Sequence, residues 1–240
     1  MTLNSPFFAD LSTYSPEVTM PFYEKVFGWK YYKSSNYYVA FLNDTTTTGL
    51  YETPDKFKQM RMPHFWMTYI KVESVVKTIE KAKQLGGIIE LDFEITDTGK
   101  VGLIRDPQGA GFTVYEGSQL KNSRTKNKAN TLIWNELHVS NAENVIPFYQ
   151  HLFGWKMDQK GQGTFEVLNN ESKHIADIIE IDNNYKGKFE YWVCTFGVED
   201  LIKSKLDILN HGGRLIWDEG QRILFTDHSN EAFFYIKGVN

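Results

Sequence analysis

Pro21-Phe22-Tyr23-Glu24-Lys25-Val26-Phe27-Gly28-Trp29-Lys30 recurs as Pro147-Phe148-Tyr149-Gln150-His151-Leu152-Phe153-Gly154-Trp155-Lys156, with residues 22 and 148 lying 126 apart. The same spacing carries Asp10 to Glu136, Leu11 to Leu137, Leu42-Asn43 to Leu168-Asn169, Trp66 to Trp192, Val72 to Val198 and Gly86-Gly87 to Gly212-Gly213. A register held over that length marks a tandem repeat. Beyond the paired glycines the spacing changes: Asp106, Phe112 and Gly117 answer Asp227, Phe233 and Gly238, 121 apart. The second copy has therefore lost five residues against the stretch between Leu91 and Gly102, which predicts a shorter hairpin on that side.

Each copy alternates strand and helix signals in one order. Phe7 to Thr13 reads as a strand, and Ser15-Pro16-Glu17 supplies a cap followed by a proline at the first helical position. A helix is expected over 16–27, with Val18, Phe22, Val26 and Phe27 on one apolar stripe and Gly28 ending it. Strands are expected at 30–34, 37–42 and 47–51. The order repeats with a strand at 64–72, a helix at 73–85 and strands at 88–93, 101–105 and 111–115. Four βαβββ units in an α+β chain are thus expected to pair into two curved-sheet cup domains related by pseudo-twofold symmetry. The boundary falls in the polar stretch 119–130, giving domains at 1–120 and 131–240 joined by a linker at 121–130.

Composition narrows the function. The 240 residues are 41% hydrophobic and 15% aromatic with a formal net charge of −4. The one basic stretch, Lys121, Arg124, Lys126 and Lys128, is interleaved with Asn, Ser and Thr, and reads as a solvated connector. Nucleic acid is not an expected partner. No apolar run reaches the ~20 residues of a membrane span, and residues 1–9 lack the basic start and apolar core of an export signal. With Cys194 as the only cysteine, no intrachain disulfide exists and a cytoplasmic setting is expected. Cys194 sits in the apolar run 191–198 and reads as core.

The paired Phe-Tyr…Phe-Gly-Trp stretches, the glycine pairs and Asp106-Pro107-Gln108-Gly109-Ala110 resemble the glyoxalase, bleomycin-resistance protein and extradiol dioxygenase superfamily, also called the vicinal oxygen chelate superfamily. The resemblance covers both copies, although the second reads Asp227-His228-Ser229-Asn230-Glu231 at the turn. It implies paired units around a cup whose enzymes hold a divalent metal with His and Glu. By alignment the inherited ligand positions are Phe8, Met67 and Thr113 in the first copy and Trp134, Val193 and Phe234 in the second. None is a usual ligand for such an ion.

The expectation is therefore a metal-free, cofactor-free protein binding a small organic molecule in an aromatic cup. The alternative is a lyase, isomerase or dioxygenase of the same superfamily that uses a divalent metal placed elsewhere, or acid and base work by Glu136 and His138, which share a strand face. Glu166 and His174 are further residues such a site could use. Ligand contacts are expected from Phe8, Asp10, Ser12, Met67, Tyr69, Thr113 and Tyr115. The first cup should keep its geometry, while Trp134 and Phe234 fill the second. His64, His151, His211 and His228 fall at element ends, where surface histidines are common. The chain is expected to be a monomer containing an internal pseudo-dimer, with further oligomers left open.

Overall fold

A computed structural model describes residues 2–239. In chain order its elements are β1 (Pro6–Thr13), α1 (Pro16–Phe27), β2 (Lys30–Ser34), β3 (Tyr37–Leu42), β4 (Thr45–Glu52), α2 (Asp55–Gln59), β5 (Phe65–Lys71), α3 (Val75–Gln84), β6 (Ile88–Thr96), β7 (Gly99–Arg105) and β8 (Gly111–Glu116). The second copy gives β9 (Leu132–Val139), α4 (Ile146–Phe153), β10 (Lys156–Gly161), β11 (Thr164–Leu168), β12 (His174–Glu180), α5 (Asn183–Lys186), β13 (Tyr191–Val198), α6 (Leu201–Asn210), β14 (Arg214–Asp218), β15 (Arg222–Thr226) and β16 (Phe233–Gly238). Among the described residues the strands form two eight-stranded sheets, ordered β2-β3-β4-β1-β5-β8-β7-β6 and β10-β11-β12-β9-β13-β16-β15-β14. The repeat in sequence is thus a repeat in topology.

The expected elements are present with small shifts. Ser15 flanks α1, but its hydroxyl makes no cap bond; proline at the first turn sets the start instead. The short helices α2 and α5 carry too few residues for a periodic signal and have no counterpart in the sequence reading. The β6–β7 hairpin has strands of nine and seven residues against five and five in β14–β15, as the lost residues require.

Packing does not follow the copies. One compact unit consists of the described residues up to Phe7, Thr68–Asn122 and Asn135–Val193; the other of Phe8–Met67, Ser123–Trp134 and the chain from Cys194 onward. Each unit therefore combines one βαβββ module from each copy. In the first unit α3 packs with α4 over a core of Ile70, Ile79, Phe112, Val114, Leu137, Phe148 and Trp192. In the second, α1 packs with α6 over Ala9, Leu11, Phe22, Phe27, Trp66, Cys194, Phe196 and Phe234.

The repeated motif builds both cores. Gly28 and Gly154 close their helices at φ 69° and 74°, a left-handed turn that glycine adopts without strain. The following Trp then folds back onto the helix. Trp29 stacks on Tyr23 at 5.7 Å and Trp155 on Tyr149 at 5.4 Å. The indole N–H of Trp29 donates to the Asn130 carbonyl (2.8 Å), and that of Trp155 to the Asn4 carbonyl (2.7 Å), so the 126-residue register extends back to Asn4. Residues 121–130, read as a solvated connector, end hydrogen-bonded: Asn130 N–H donates to Gly197 O, and Thr125 and Thr131 share a hydroxyl bond of 2.7 Å.

A relay closes each unit. Trp192 Nε1–H donates to the Tyr149 hydroxyl (3.0 Å), which donates to Asp106 Oδ2 (3.0 Å). Trp66, Tyr23 and Asp227 repeat this at 3.2 and 3.2 Å. In both relays the aromatic pair comes from one copy and the aspartate from the other. Burial and the neighbouring carboxylate hold both phenols protonated, their pKa raised well above the ordinary value. Tyr149→Phe is expected to lower unfolding free energy by about 2 kcal/mol, because a buried carboxylate loses a charge-assisted bond; urea titration measures it.

Candidate functional site

Alternation along β1 sends Ala9 and Leu11 into the core of the second unit, so Asp10 and Ser12 occupy the opposite sheet face. Both are fully buried there. Asp10 lies in register with Gly49 on β4, and Tyr37 on β3 donates its hydroxyl to Asp10 Oδ2 at 2.9 Å. Gly49 is needed for this bond, since a Cβ at that position would lie 1.7 Å from the Tyr37 hydroxyl. Tyr51 on β4 stacks on Tyr37, with ring centres 6.3 Å apart and planes 11° apart. Ser12 and Thr53 share a hydroxyl bond of 2.8 Å. Burial, with the charge of Asp10, pushes the Tyr51 phenol far above its usual pKa, so it stays neutral. Gly49→Ala is expected to break the Tyr37–Asp10 bond and lower stability by about 1–3 kcal/mol through overpacking; thermal melting and a crystal structure of the variant check it.

The other expected contacts divide between the units. Phe8 and Met67 are buried in the second unit. Tyr69, Thr113 and Tyr115 belong to the first, where Tyr69 and Thr113 are register partners. There Phe7, not singled out from sequence, packs its ring against Tyr69 (6.4 Å) and Tyr115 (5.5 Å). The Tyr115 hydroxyl donates to the Thr98 carbonyl (2.5 Å) and accepts from the Leu120 N–H (3.0 Å).

In the second copy the equivalents of Asp10 and Ser12 are Glu136 and His138. His138 Nε2 and Glu136 Oε1 are 2.8 Å apart, both side chains fully buried in the first unit. The Tyr191 ring lies 5.4 Å from the imidazole, and burial plus the charges of Glu136 and Glu190 raise its phenol pKa. Glu166 pairs with Lys160 (3.1 Å) and His174 with Asp177 (2.8 Å), so neither joins the Glu136–His138 pair through these bonds.

Two expectations from sequence are corrected. Phe234 does not line the second cup: it lies in the core of the second unit among Phe22, Tyr23, Phe27, Phe196 and Phe225. The reason is one extra residue in the turn, which closes from Asp106 to Ala110 in the first copy but from Asp227 to Ala232 in the second. Tyr235 therefore takes the position of Thr113. His64 is not a plain surface histidine either. It stacks on Tyr14 (4.8 Å), shares a bond with Thr13 (3.1 Å), and burial lowers its pKa.

The residues at the inherited metal positions do not fit a divalent ion. They read Phe8, Met67 and Thr113 in one copy and Trp134, Val193 and Tyr235 in the other, with the Trp134 ring carrying the Arg124 guanidinium at 4.4 Å. Among the described residues no group of three or more His, Cys, Asp or Glu is arranged to hold a metal.

Comparison with known proteins agrees with this architecture. The family model of the Glyoxalase/Bleomycin resistance protein/Dioxygenase superfamily matches residues 9–114, most of the first copy. The CFP32 proteins of Mycobacterium bovis and Mycobacterium tuberculosis, which carry "glyoxylase" in their name, are 26% identical over 222 residues, spanning 88% of this chain and 84% of theirs. The Mn(II)-bound glyoxalase from Novosphingobium aromaticivorans shares the fold with a TM-score of 0.65 at 12% identity, over 98% of this chain and 82% of that one. The 2,3-dioxygenase LapB from Pseudomonas sp. KL28 matches at 0.65 and 12%, over 99% and 93%. These two likenesses establish the superfamily fold and carry no chemistry across. No helix among the described residues is long and apolar enough to cross a membrane.

Proposed function

We propose that this protein binds a small organic molecule without a metal, on the sheet face formed by β1, β3 and β4 of the second unit. The observation that carries the reading is the Asp10–Tyr37 bond over Gly49, a buried polar anchor beside half-buried tyrosine rings. Few polar groups among apolar and aromatic walls is the usual make-up of a small-molecule site. A thermal-shift screen of small aromatic and polar compounds is expected to yield a ligand, and Asp10→Ala to weaken it. Binding that is unchanged in Asp10→Ala and lost in Glu136→Ala would move the site to the other unit.

Metal dependence is tested separately. Protein purified without chelators is expected to hold well below one equivalent of zinc, iron, nickel or manganese, and a chelator is expected to leave ligand affinity unchanged. Near one equivalent, removed by His138→Ala, would restore a metalloenzyme. The 2.8 Å contact of buried His138 and Glu136 favours a second reading, acid and base catalysis without metal, because a carboxylate at Nε2 fixes the imidazole tautomer. Turnover of a screened compound, abolished by His138→Gln with folding intact, is its signature.

A further inference from the structure

We propose that His64 is a pH-operated latch: neutral, it fastens residues 53–64 to the end of β1, and protonated, it releases them. The latch stands whether or not the β1–β3–β4 face takes a ligand. Residues 53–64, which carry α2, form a strap whose two ends both tie to residues 12–14. At one end the Thr53 N–H donates to the Thr13 carbonyl (2.7 Å), and the Thr53 hydroxyl bonds to that of Ser12 (2.8 Å). At the other, Tyr14 donates to the Met62 carbonyl (2.7 Å) and stacks on His64, whose Nδ1 lies 3.1 Å from Thr13 Oγ1. Between these ends α2 buries no residue, so the strap depends on its ties more than on apolar packing.

The hydroxyl network at His64 suits only the neutral ring. Thr13 Oγ1 also meets the Thr19 hydroxyl (2.7 Å) and the Ser15 N–H (3.4 Å). Thr19 is fully buried, and Thr13 is its hydroxyl's one partner among the described residues. All protons find acceptors when Thr19 donates to Thr13, Thr13 donates to a bare Nδ1, and Nε2 carries the ring proton. Protonation puts a hydrogen on Nδ1 and reverses the chain, leaving a buried hydroxyl proton facing no acceptor, which destabilises the fastened form. Asp227, His228 and Glu231 of the turn before β16, with Tyr14, are the titratable groups around the ring, and Glu231 accepts the His64 backbone N–H (2.9 Å). Burial lowers the imidazole pKa against the pull of Asp227 and Glu231, and His228 adds to the lowering. Fastening is thus full above pH 6.5 and is lost as pH falls through the lowered value.

The fold does not require a histidine here. Tyr14 follows β1 and His64 precedes β5; Ser140 and Glu190 hold the same places after β9 and before β13. There Glu190 accepts from the Ser140 N–H (2.9 Å) and hydroxyl (2.6 Å) and pairs with buried Lys186 (3.1 Å). No imidazole shares those bonds, so the second copy supplies an internal control.

Hydrogen exchange of the full-length protein at pH 7.5 and pH 5, read by mass spectrometry and corrected for intrinsic pH effects, tests the latch. Opening of residues 53–64 is expected to rise about fivefold or more at pH 5, the equilibrium weight of one neutral hydrogen bond. Residues 181–190 should not follow. NMR titration of the His64 ring should place its pKa below the ordinary 6.5. His64→Asn keeps an acceptor at the place of Nδ1 and takes up no proton, so opening of the strap should be the same at both pH values. Thr13→Val keeps the shape without the hydroxyl and should open the strap at pH 7.5, with no further response at pH 5. A parent strap indifferent to pH, an equal rise at 181–190, or a response that survives in either variant overturns the latch. So does an acid response in the parent at pH values where the His64 ring does not titrate, a comparison that needs neither variant to fold.

Discussion

Phe234→Ala is expected to lower the free energy of unfolding by about 3–5 kcal/mol, the usual cost of emptying a large aromatic site in a packed core. The ring is fully buried and meets Phe22, Tyr23, Phe27, Phe196 and Phe225 within the second unit. These partners come from both copies of the repeat and from helix and strand, so the site cannot collapse by moving one element. The neighbouring Phe233, half-buried on the other face of β16, should cost far less when truncated. Urea unfolding of the two variants decides the assignment. A larger loss in Phe233→Ala than in Phe234→Ala would return Phe234 to the cup.

The second large effect is a pH dependence written into the relay of the first unit. Asp106 accepts from the N–H groups of Gln108, Gly109 and Ala110 and from Tyr149, yet burial outweighs these bonds and pushes its pKa from 3.8 up to about 6. Between those values the native chain holds a proton that the unfolded chain has released. Stability from this group is therefore full below pH 3.8 and is lost as pH rises through about 6. Two pKa units correspond to about 3 kcal/mol. Other carboxylates contribute slopes of either sign, so the informative quantity is a difference. Asp106→Asn, neutral at every pH, should gain up to about 3 kcal/mol on the parent protein between pH 4 and pH 6.5. A parent-minus-variant difference flat across that range would show that Asp106 ionises normally.

Much of the architecture was legible because the repeat is long and its markers are rigid. Phe-Gly-Trp announces a helix end that only a left-handed glycine makes, and Leu11, Trp66 and Val72 keep their spacing because strands and core positions tolerate no insertion. The turn after Asp227 hid one added residue, since Asp227 still accepts at the turn and the hydrophobic run Phe233-Phe234-Tyr235 reads equally well in either register. Which module packs with which was also invisible: local periodicity is the same whether a helix meets its own copy or the other. At the candidate site, Asp10 and Ser12 followed from alternation in β1. Tyr37, Gly49 and Tyr51 did not, because their importance lies in a cross-strand register that sequence spacing does not display.

The interleaving of modules has a consequence for how the protein comes into being on the ribosome. Domains ordinarily fold as units while synthesis proceeds from the N-terminus. Here Tyr23 and Trp66 await Asp227, and the first unit awaits everything through Val193. The nascent first copy exposes the faces of α1 and α3 with neither α6 nor α4 yet made. Its apolar stripes and strand edges stay open to solvent for most of translation, a period in which a holding chaperone has a target and a truncated product has no folded form to settle into. Closure of the second unit comes later than that of the first, since it waits for β16.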